Sequence, residues 1–328
     1  MDKIWEEVEI KAEDGRYHKA IAPLILSASR ATDIPAFYSK WFFNRLNKGF
    51  LFWENPFNKK YSKYISFEKV RVIVFWSKYP QPILPYLKIL DEKKINYYFQ
   101  FTLNDYENEG FESNLPSIYE RIKTFINLSR KIGRERVIWR FDPLVLSKNL
   151  KIDDLIDRIR YIGNKLKFFT EKLVVSFVDI DCYKNVQRRL IRYGNKNFNK
   201  ENIFKNEFTE NQKIEFSKKL SALILQWKKI NPDFKVSTCS ENIDLSRYNI
   251  MHNKCVDDEL MIRLFNDDKI LMEFLGYSIE KNTSLLNNKN KRNLKDRGQR
   301  KECNCIFSKD IGFYNSCKFN CIYCYAKR

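Results

Sequence analysis

Cysteines are the residues of this chain whose type and spacing could do chemistry. Five of the eight cysteines lie between Cys303 and Cys324, close to the C-terminal end. Disulfides do not persist in a reducing compartment, so thiols gathered this closely are typical of metal ligands. The sequence therefore predicts a metal centre in the C-terminal segment.

Three of these cysteines follow the spacing Cys317-x3-Cys321-x2-Cys324. Iron–sulfur clusters are held by cysteine thiolates, and one short loop with this spacing can supply three of them. A cubane has four irons, so three cysteines leave one iron open to an outside ligand, as catalytic zinc sites leave one position open. We therefore predict a [4Fe–4S] cluster on Cys317, Cys321 and Cys324. Tyr323 and Tyr325 flank the last cysteine and could shield the cluster or stack on an adenine.

Zinc is the alternative metal for the same three cysteines. Structural zinc prefers four ligands in paired C-x2-C knuckles, and this triple leaves one thiolate beyond such a knuckle. The spacing therefore favours iron–sulfur ligation. The two histidines, His18 and His252, offer no second zinc arrangement.

Four further cysteines, Cys239, Cys255, Cys303 and Cys305, form a second candidate group. The pair Cys303-x-Cys305 is too tight for one zinc knuckle but suits two corners of a cluster. Together the four could hold an auxiliary iron–sulfur cluster or a zinc ion. The alternative is that Cys239 and Cys255 are ordinary small buried residues. Cys182 has no partner in either pattern.

Six short apolar runs alternate with longer helical patterns along the chain. Their near-continuous apolar character is typical of parallel strands covered on both faces. Alternating strands and helices predict an α/β fold, and six such units favour a partial or complete parallel (β/α) barrel. The predicted strands are residues 24–28, 70–76, 97–102, 136–140, 173–178 and 235–238.

Helix boundaries are marked by turn and cap residues. Asp33 and Pro35 predict the start of a helix that ends at Gly49, and Pro116 predicts one that ends at Gly133. Two further helices are predicted at residues 153–168 and 211–230.

We expect two regions in the chain. Residues 1–275 would form the barrel-like domain. Residues 276–328 would form a basic linker and a cysteine-rich segment that packs on the barrel and closes over its mouth.

Polar residues follow each predicted strand. In α/β barrels the chemistry lies where the strands end, at the C-terminal mouth. Any one of these residues could be a helix cap or a turn residue, and for Asp33 alone that interpretation is favoured. Six sets in succession instead predict a polar, charged pocket at one rim. The sets are Ser29, Arg30 and Asp33; Ser77 and Lys78; Gln100 and Thr102; Arg140 and Asp142; Ser176 and Asp179; Cys239 and Glu241.

The chain of 328 residues has a net charge of +19. That charge could attract nucleic acid or another polyanion, and the alternative is a compositional bias without function. Two stretches, residues 183–200 and 281–301, are locally basic. The first fifteen residues are charged, and the longest apolar runs are far shorter than the roughly 20 residues that span a bilayer. We therefore expect a cytoplasmic protein without membrane association.

The cysteine triple, with an aromatic residue before its last cysteine, resembles the radical S-adenosylmethionine (SAM) motif. The whole chain resembles a bacterial family known as domain of unknown function 1848, which is radical-SAM-like and has some likeness to the spore photoproduct lyase group. The matching segments are SASRATDIP (27–35), NPF (55–57), VFWSK (74–78), WRFDP (139–143), SFVD (176–179), CSE (239–241), GQRKECNC (298–305), SKDIG (308–312) and CKFNCIYCYA (317–326).

The resemblance implies that SAM binds the open iron and is cleaved after a reductant such as flavodoxin or ferredoxin supplies one electron. Arg30, Lys78, Arg140 and Asp142 would then be catalytic candidates that hold the SAM carboxylate, its ribose or a substrate anion. Gln100, Ser176, Glu241 and Tyr323 would contact or orient the cofactor.

The motif lies at the C-terminal end, whereas in most radical SAM enzymes it follows the first strand. The resemblance therefore implies a permuted arrangement in which the tail folds back over the barrel mouth. The sequence has no Gly-Gly pair, so the Gly-Gly-Glu-Pro segment that usually contacts SAM is absent.

Three functions follow from these patterns. The first is a radical SAM-type enzyme with an unknown substrate. The second is a DNA or RNA repair or modification enzyme of the spore photoproduct lyase type. The third is a non-enzymatic zinc or iron–sulfur protein.

Overall fold

The computed structural model describes residues 4–194, 196–278, 283–284 and 294–327. Its largest sheet has eight strands, and every neighbouring pair is parallel. The strands are β3 (Ile25–Ala28), β6 (Val72–Ser77), β7 (Asn96–Thr102), β8 (Val137–Leu144), β9 (Lys172–Phe177), β10 (Lys235–Thr238), β11 (Ile250–His252) and β14 (Lys309–Asp310). Their order is β11-β10-β9-β8-β7-β6-β3-β14.

The six predicted strands all form, as β3 and β6 to β10, and they lie side by side in chain order. The predicted α/β fold with a parallel sheet is therefore confirmed. Among the described residues the sheet ends at β11 and β14, so a closed barrel is not confirmed. These two strands were not predicted, because runs of 3 and 2 residues carry too little pattern to detect.

A second, four-stranded sheet was also missed by the sequence patterns. It consists of β1 (Glu6–Lys11), β2 (Tyr17–Ala22), β4 (Phe50–Trp53) and β5 (Lys63–Ser66), in the order β1-β2-β5-β4. Its outer strand β1 alternates charged and apolar residues, unlike the continuous apolar runs of the larger sheet. Two short strands, β12 (Tyr277–Ser278) and β13 (Thr283–Ser284), pair separately.

Three predicted helices form within two residues of their expected ends, as α4 (Ile118–Ile132), α5 (Ile152–Leu166) and α7 (Glu210–Lys228). The predicted helix from Asp33 to Gly49 is instead two helices, because Tyr38, with φ −130° and ψ 20°, leaves the helical region. The helices are α1 (Ile34–Phe37), α2 (Ser39–Lys48), α3 (Leu87–Glu92), α4 (Ile118–Ile132), α5 (Ile152–Leu166), α6 (Lys184–Tyr193), α7 (Glu210–Lys228), α8 (Asp258–Leu264) and α9 (Lys269–Leu275).

Alternate residues of the large sheet enter two separate apolar clusters. Ile73 and Phe75 belong to the first face, which is covered by α2, α3, α4, α5 and α7. Val72 and Val74 belong to the second face, which is covered by α8 and α9. This period of two decides which polar residues can meet at the strand ends.

The C-terminal segment joins the body of the molecule. Strand β14 pairs with β3, and Phe319, Cys321 and Tyr323 are buried in the first-face cluster. The predicted basic linker falls mainly on residues 279–282 and 285–293, which lie outside the described residues. In the described ranges no helix combines the length and the apolar character needed to cross a membrane.

Candidate functional site

The C-terminal segment from β14 onward (residues 309–327), here called the tail, crosses the carboxyl ends of β3, β6 and β7. Three side chains and one backbone carbonyl from other elements hold its backbone by hydrogen bonds. Because these bonds come from widely separated parts of the chain, the position of the tail is fixed by the fold and not by its own sequence. The hydrogen bonds are Tyr38 Oη to Ser316 O (2.8 Å), Asn114 Nδ2 to Lys318 O (2.8 Å), Arg189 Nη2 to Cys321 O (2.7 Å) and Ile322 N to Phe111 O (3.0 Å).

Gly312 lets the chain lie directly against the end of β3. A Cβ atom at this position would come within 1.7 Å of Ser29 Oγ. Just before it, Asp310 accepts hydrogen bonds from Arg30 N (2.9 Å) and Gly312 N (2.8 Å). The start of the tail is therefore in close contact with the polar residues that follow β3.

The three tail cysteines are neighbours in a largely apolar setting. Cys321 is buried, and Cys317 and Cys324 are partly buried against the first-face cluster. Burial raises the pKa of Cys321, Lys78 opposes the rise, and Cys324 and Cys317 add to it. Burial likewise raises the pKa of Cys317 to about 11. Such thiols stay protonated by themselves, whereas a bound metal deprotonates its thiol ligands.

Lys78 and Tyr323 lie beside Cys321 in a buried polar network. Lys78 Nζ donates to Glu112 Oε1 (2.7 Å) and to Tyr323 Oη (3.0 Å). Asn104 Nδ2 donates to the same two oxygens at 3.1 and 3.0 Å. Tyr323 Oη also donates to Glu112. The network ties the tail to the loops that follow β6 and β7.

The charges in this network stabilise one another. Burial opposes the charge of Lys78, but Glu112 raises the pKa of Lys78 above its ordinary value. Burial also opposes the charge of Glu112, but Lys78 and Arg121 lower the pKa of that carboxyl. Lys78 is therefore held as an ammonium ion close to the Cys321 thiol.

Arg140, Gln100 and Asp142 meet the second cysteine group on the second face. Arg140 Nη1 donates to Gln100 Oε1 (3.2 Å) and Cys255 Sγ (2.9 Å), and its Nε donates to Asp142 Oδ2 (3.0 Å). Ser176 Oγ donates to the other oxygen of Asp142. Gln100 Nε2 donates to Cys255 O (2.9 Å). The structure thus brings four of the predicted rim residues together with Cys255.

The four cysteines of the second group form a chain of contacts. Cys239 Sγ lies 3.6 Å from Cys255 Sγ. Cys305 Sγ accepts hydrogen bonds from Cys255 N (3.2 Å) and Val256 N (3.4 Å). A hydrogen bond with Cys305 lowers the pKa of the Cys303 thiol. Residues from three separate segments are thereby gathered at one place, while Cys182 is exposed and stays outside both groups.

Arg30 and Glu241 have surroundings that the sequence did not indicate. The Arg30 guanidinium lies 5.0 Å from the centre of the Trp76 ring, and its Nη2 is buried without a hydrogen-bond partner in the described part of the chain. Glu241 accepts hydrogen bonds from Lys213 Nζ (2.7 Å) and Phe177 N (3.4 Å). Glu241 is therefore engaged by its own neighbours, whereas Arg30 retains a free donor.

Both cysteine groups collect buried or partly buried thiols, the donor chemistry of an iron–sulfur cluster, and in the second group Cys305 Sγ receives two N–H hydrogen bonds. In the described part of the chain, no three His, Cys, Asp or Glu side chains converge closely enough to hold one metal ion. A cubane binds each cysteine on a separate iron, so its ligands lie further apart than those of a single ion.

The sequence matches the family described as "Domain of unknown function (DUF1848)" over residues 25–326. The chain belongs to this family. The DUF1848 region begins at β3 and extends to the end of the described tail, so it contains the whole eight-stranded sheet and both cysteine groups. Strands β1 and β2 precede it.

Other comparisons add little to the DUF1848 assignment. The comparison with curated proteins found no match. One solved structure, described as a "putative alpha-L-fucosidase" from Bacteroides thetaiotaomicron, is 10% identical to this chain, with a TM-score of 0.27. The match covers 64% of this chain and 61% of that one, so the chain spans less than two thirds of its length. Such a likeness carries no functional argument.

Several residues of the DUF1848 site were not predicted. Asn104 lies two residues beyond β7, so the rule that polar residues follow strands could have found it. Glu112 and Arg121 come from a loop and from α4, where a buried charge has no local signal. Asn253, which donates to Cys255 Sγ (3.1 Å), follows the unpredicted strand β11.

Proposed function

We propose that this protein is a radical SAM-type enzyme whose [4Fe–4S] cluster is held by Cys317, Cys321 and Cys324. The observation that carries the proposal is the grouping of these three thiols beside Lys78 and Tyr323, where parallel strands end. Ligands of parallel α/β sheets bind at this edge. Three cysteines also leave one iron free for an outside ligand, which a four-cysteine electron-transfer cluster does not.

The chemistry that such a cluster supplies when bound is one-electron cleavage of SAM to methionine and a 5′-deoxyadenosyl radical. The chain's own residues would orient the reactants. Lys78 is kept charged by Glu112 and would attract the carboxylate of SAM or an anionic substrate. The hydroxyl of Tyr323 is fixed by Lys78 and Asn104, so its ring has a defined position next to two cysteines.

Asp142 and Arg140 would contact the proposed SAM and substrate pocket from the second face of the eight-stranded sheet. The Asp142 side chain is 27% exposed, whereas that of Arg140 is 4% exposed. Asp142 would therefore accept hydrogen bonds from ribose or substrate hydroxyls, while Arg140 and Ser176 orient its carboxylate. Gln100 in turn fixes Arg140, and Glu241 would act only if its pairing with Lys213 opened.

The proposed enzyme needs a one-electron donor such as flavodoxin or ferredoxin, which agrees with a cytoplasmic location. We also infer that the eight-stranded sheet is a partial (β/α) barrel. The chain-order arrangement of β3 and β6 to β10, with helices on the first face, supports this inference.

The test is anaerobic reconstitution with iron and sulfide, followed by dithionite and SAM, with 5′-deoxyadenosine measured by chromatography. We expect reductant-dependent 5′-deoxyadenosine from the wild-type chain and none from the variant Cys321→Ala. The matched control is Cys182→Ser, which changes an exposed cysteine outside both groups. A reconstituted cluster that yields no 5′-deoxyadenosine would instead support the non-enzymatic iron–sulfur protein, and bound zinc would support the zinc protein.

A polyanionic substrate such as DNA or RNA is the second candidate, and helix α6 favours it. Lys184, Arg188 and Arg192 recur every four residues on α6, and all three are exposed. The same helix contacts the tail through Arg189, which donates to the carbonyl of Cys321. A basic stripe of this kind could track phosphates next to the cysteines.

The measurement for this second candidate is nucleic-acid binding at several salt concentrations. We expect affinity to fall with salt, and we expect the triple change of Lys184, Arg188 and Arg192 to glutamine to reduce the salt dependence. Replacing Lys218, Lys228 and Lys229 at α7 and its C-terminal end by glutamine is the charge-matched control; Lys218 and Lys229 are exposed and Lys228 is partly exposed. Equal losses in both variants would point to a general charge effect and not to a binding surface.

A further inference from the structure

We propose that Cys239, Cys255, Cys303 and Cys305 hold a second iron–sulfur cluster, and that Arg30 is the cation that faces it. This inference goes beyond the proposed SAM chemistry, because it concerns a different set of ligands on the other face of the sheet. Its basis is the geometry around four thiols that the fold brings together from distant segments.

Two sulfur atoms of this group each accept two hydrogen bonds. Cys255 Sγ accepts from Arg140 Nη1 (2.9 Å) and Asn253 Nδ2 (3.1 Å). Cys305 Sγ accepts from two backbone N–H groups at 3.2 and 3.4 Å. A neutral thiol is a weak acceptor, whereas a metal-bound thiolate is a strong one. The donors are therefore arranged for sulfur atoms that carry negative charge.

Arg30 supplies an independent observation. Its Nη2 is buried and has no hydrogen-bond partner, and its guanidinium has no ion pair within 4.0 Å among the described residues. Burial by itself would lower the pKa of Arg30, but Cys305, Asp310 and Cys255 raise it above its ordinary value. A buried cation with a free donor is costly unless an anion lies next to it. A cluster ligated by four thiolates is such an anion.

The spacing Cys303-x-Cys305 favours a cluster over a single zinc ion, because it is too tight for one zinc knuckle and suits two corners of a cluster. In the structure the thiols touch in sequence, Cys239 with Cys255 and then Cys305 with Cys303. A cubane takes each thiolate on its own iron, so its binding requires the 3.6 Å contact between Cys239 Sγ and Cys255 Sγ to open. Four cysteines also leave no open iron, so this cluster would transfer electrons or stabilise the fold.

The experiment measures the iron content of a chain that lacks the three cysteines of the first group. In the triple variant Cys317→Ala, Cys321→Ala and Cys324→Ala, reconstituted anaerobically, we expect about four iron atoms per chain and a dithionite-induced paramagnetic signal. The wild-type chain should hold about twice that amount of iron. Adding Cys255→Ser and Cys305→Ser to the triple variant should remove the remaining iron, and Cys182→Ser should remove none.

A folded triple variant that binds no iron, or only zinc, overturns the proposal, with circular dichroism and thermal unfolding as the test of folding. If the triple variant does not fold, Cys255→Ser with Cys305→Ser in the otherwise wild-type chain decides: loss of about four iron atoms supports a second cluster, and unchanged iron content overturns it. Neither result depends on SAM cleavage, so failure of the enzymatic proposal would be seen separately, as iron without 5′-deoxyadenosine.

The role of Arg30 has its own measurement. Replacing this cation by Arg30→Gln should shift the reduction potential of the second cluster to more negative values, because a positive charge favours the reduced state. Arg45→Gln, which changes an arginine paired with Glu13 far along the chain, is the control. An unchanged reduction potential of the second cluster in Arg30→Gln would show that Arg30 does not face this cluster.

Discussion

The two cysteine groups are assembled in different ways. The first takes Cys317, Cys321 and Cys324 from one short loop, whereas the second draws four cysteines from three separate segments. A local spacing therefore brings the first group together, while the second exists only because β10, β11 and the segment before β14 meet on one face. The comparison teaches that local spacing alone predicts that the first group comes together, whereas for the second group the sequence gives candidate cysteines whose meeting depends on the fold.

The surroundings of the two groups differ as well. Near the first group the positive charge is Lys78, which is already paired with Glu112. Near the second group Arg140 donates directly to a sulfur atom, and Arg30 has a free donor. In the proposed first cluster the open iron would bind and release an outside ligand beside Lys78, whose charge Glu112 already balances. In the proposed second cluster four thiolates would keep a lasting negative charge, which Arg140 and Arg30 would balance. The following predictions test this contrast.

The largest expected effect separates the two groups by activity. Cys321→Ala should abolish formation of 5′-deoxyadenosine and lose about half of the iron, because it removes one ligand of the open cluster only. Cys305→Ser should instead lose iron from the second cluster while the first remains. Iron analysis together with chromatography checks both, and loss of 5′-deoxyadenosine formation in Cys305→Ser as complete as in Cys321→Ala would contradict the contrast.

The next effect concerns stability around the first group. Glu112→Ala leaves Lys78 and Arg121 without their buried partner, so the free energy of unfolding should fall by about 3–5 kcal/mol. Glu107→Ala removes the exposed partner of the same arginine and should cost about 1 kcal/mol or less. Urea unfolding of the apoprotein measures both changes. Similar losses in the two variants would mean that the buried network has no special role.

A smaller effect is expected where the tail meets β3. Gly312→Ala would push a methyl group into Ser29, so we expect a loss of about 1–3 kcal/mol and weaker iron binding at the first group. Gly298→Ala is the matched control, because its nearest contact, Asp296 Oδ1 at 3.1 Å, needs only a small shift of a partly exposed side chain. Thermal unfolding and iron content give the result. Normal iron binding in Gly312→Ala would show that the tail does not need this close approach.

The smallest effect is expected at Cys182, which lies outside both groups. Cys182→Ser should change the unfolding free energy by no more than about 0.5 kcal/mol, because the side chain is exposed. Iron content should be unchanged. A measurable loss of iron in Cys182→Ser would show that Cys182 also takes part in iron binding.

Part of the candidate site could be predicted from the sequence. The strand-end rule selected Gln100, Arg140, Asp142 and Ser176, which the structure joins by hydrogen bonds around Cys255. It succeeded because parallel strands bring their carboxyl ends to one edge, and because residues two apart on a strand share a face. The roles of these residues stay a prediction.

The strand-end rule could not show which polar residues lie near the first cysteine group and which lie near the second. Lys78 joins the tail through Glu112 and Tyr323, while Arg30 lies near Cys305 and Cys255. Glu112 and Arg121 were missed altogether, because a buried ion pair between a loop and a helix leaves no periodic pattern. Strands β1, β2 and β5 of the small four-stranded sheet were missed because they mix charged and apolar residues, and β4 was missed although its four residues are all apolar, because so short a run carries little pattern.

The sequence by itself determined the α/β class, the order of six parallel strands and the close grouping of Cys317, Cys321 and Cys324. Hydrophobic periodicity and local spacing act within short stretches of chain, so they can be read without a fold. Only the tertiary structure decided that the tail lies against β3 and that Cys239, Cys255, Cys303 and Cys305 meet beside Arg30 and Arg140. Such contacts depend on the packing of elements far apart in the chain, and no local pattern encodes them.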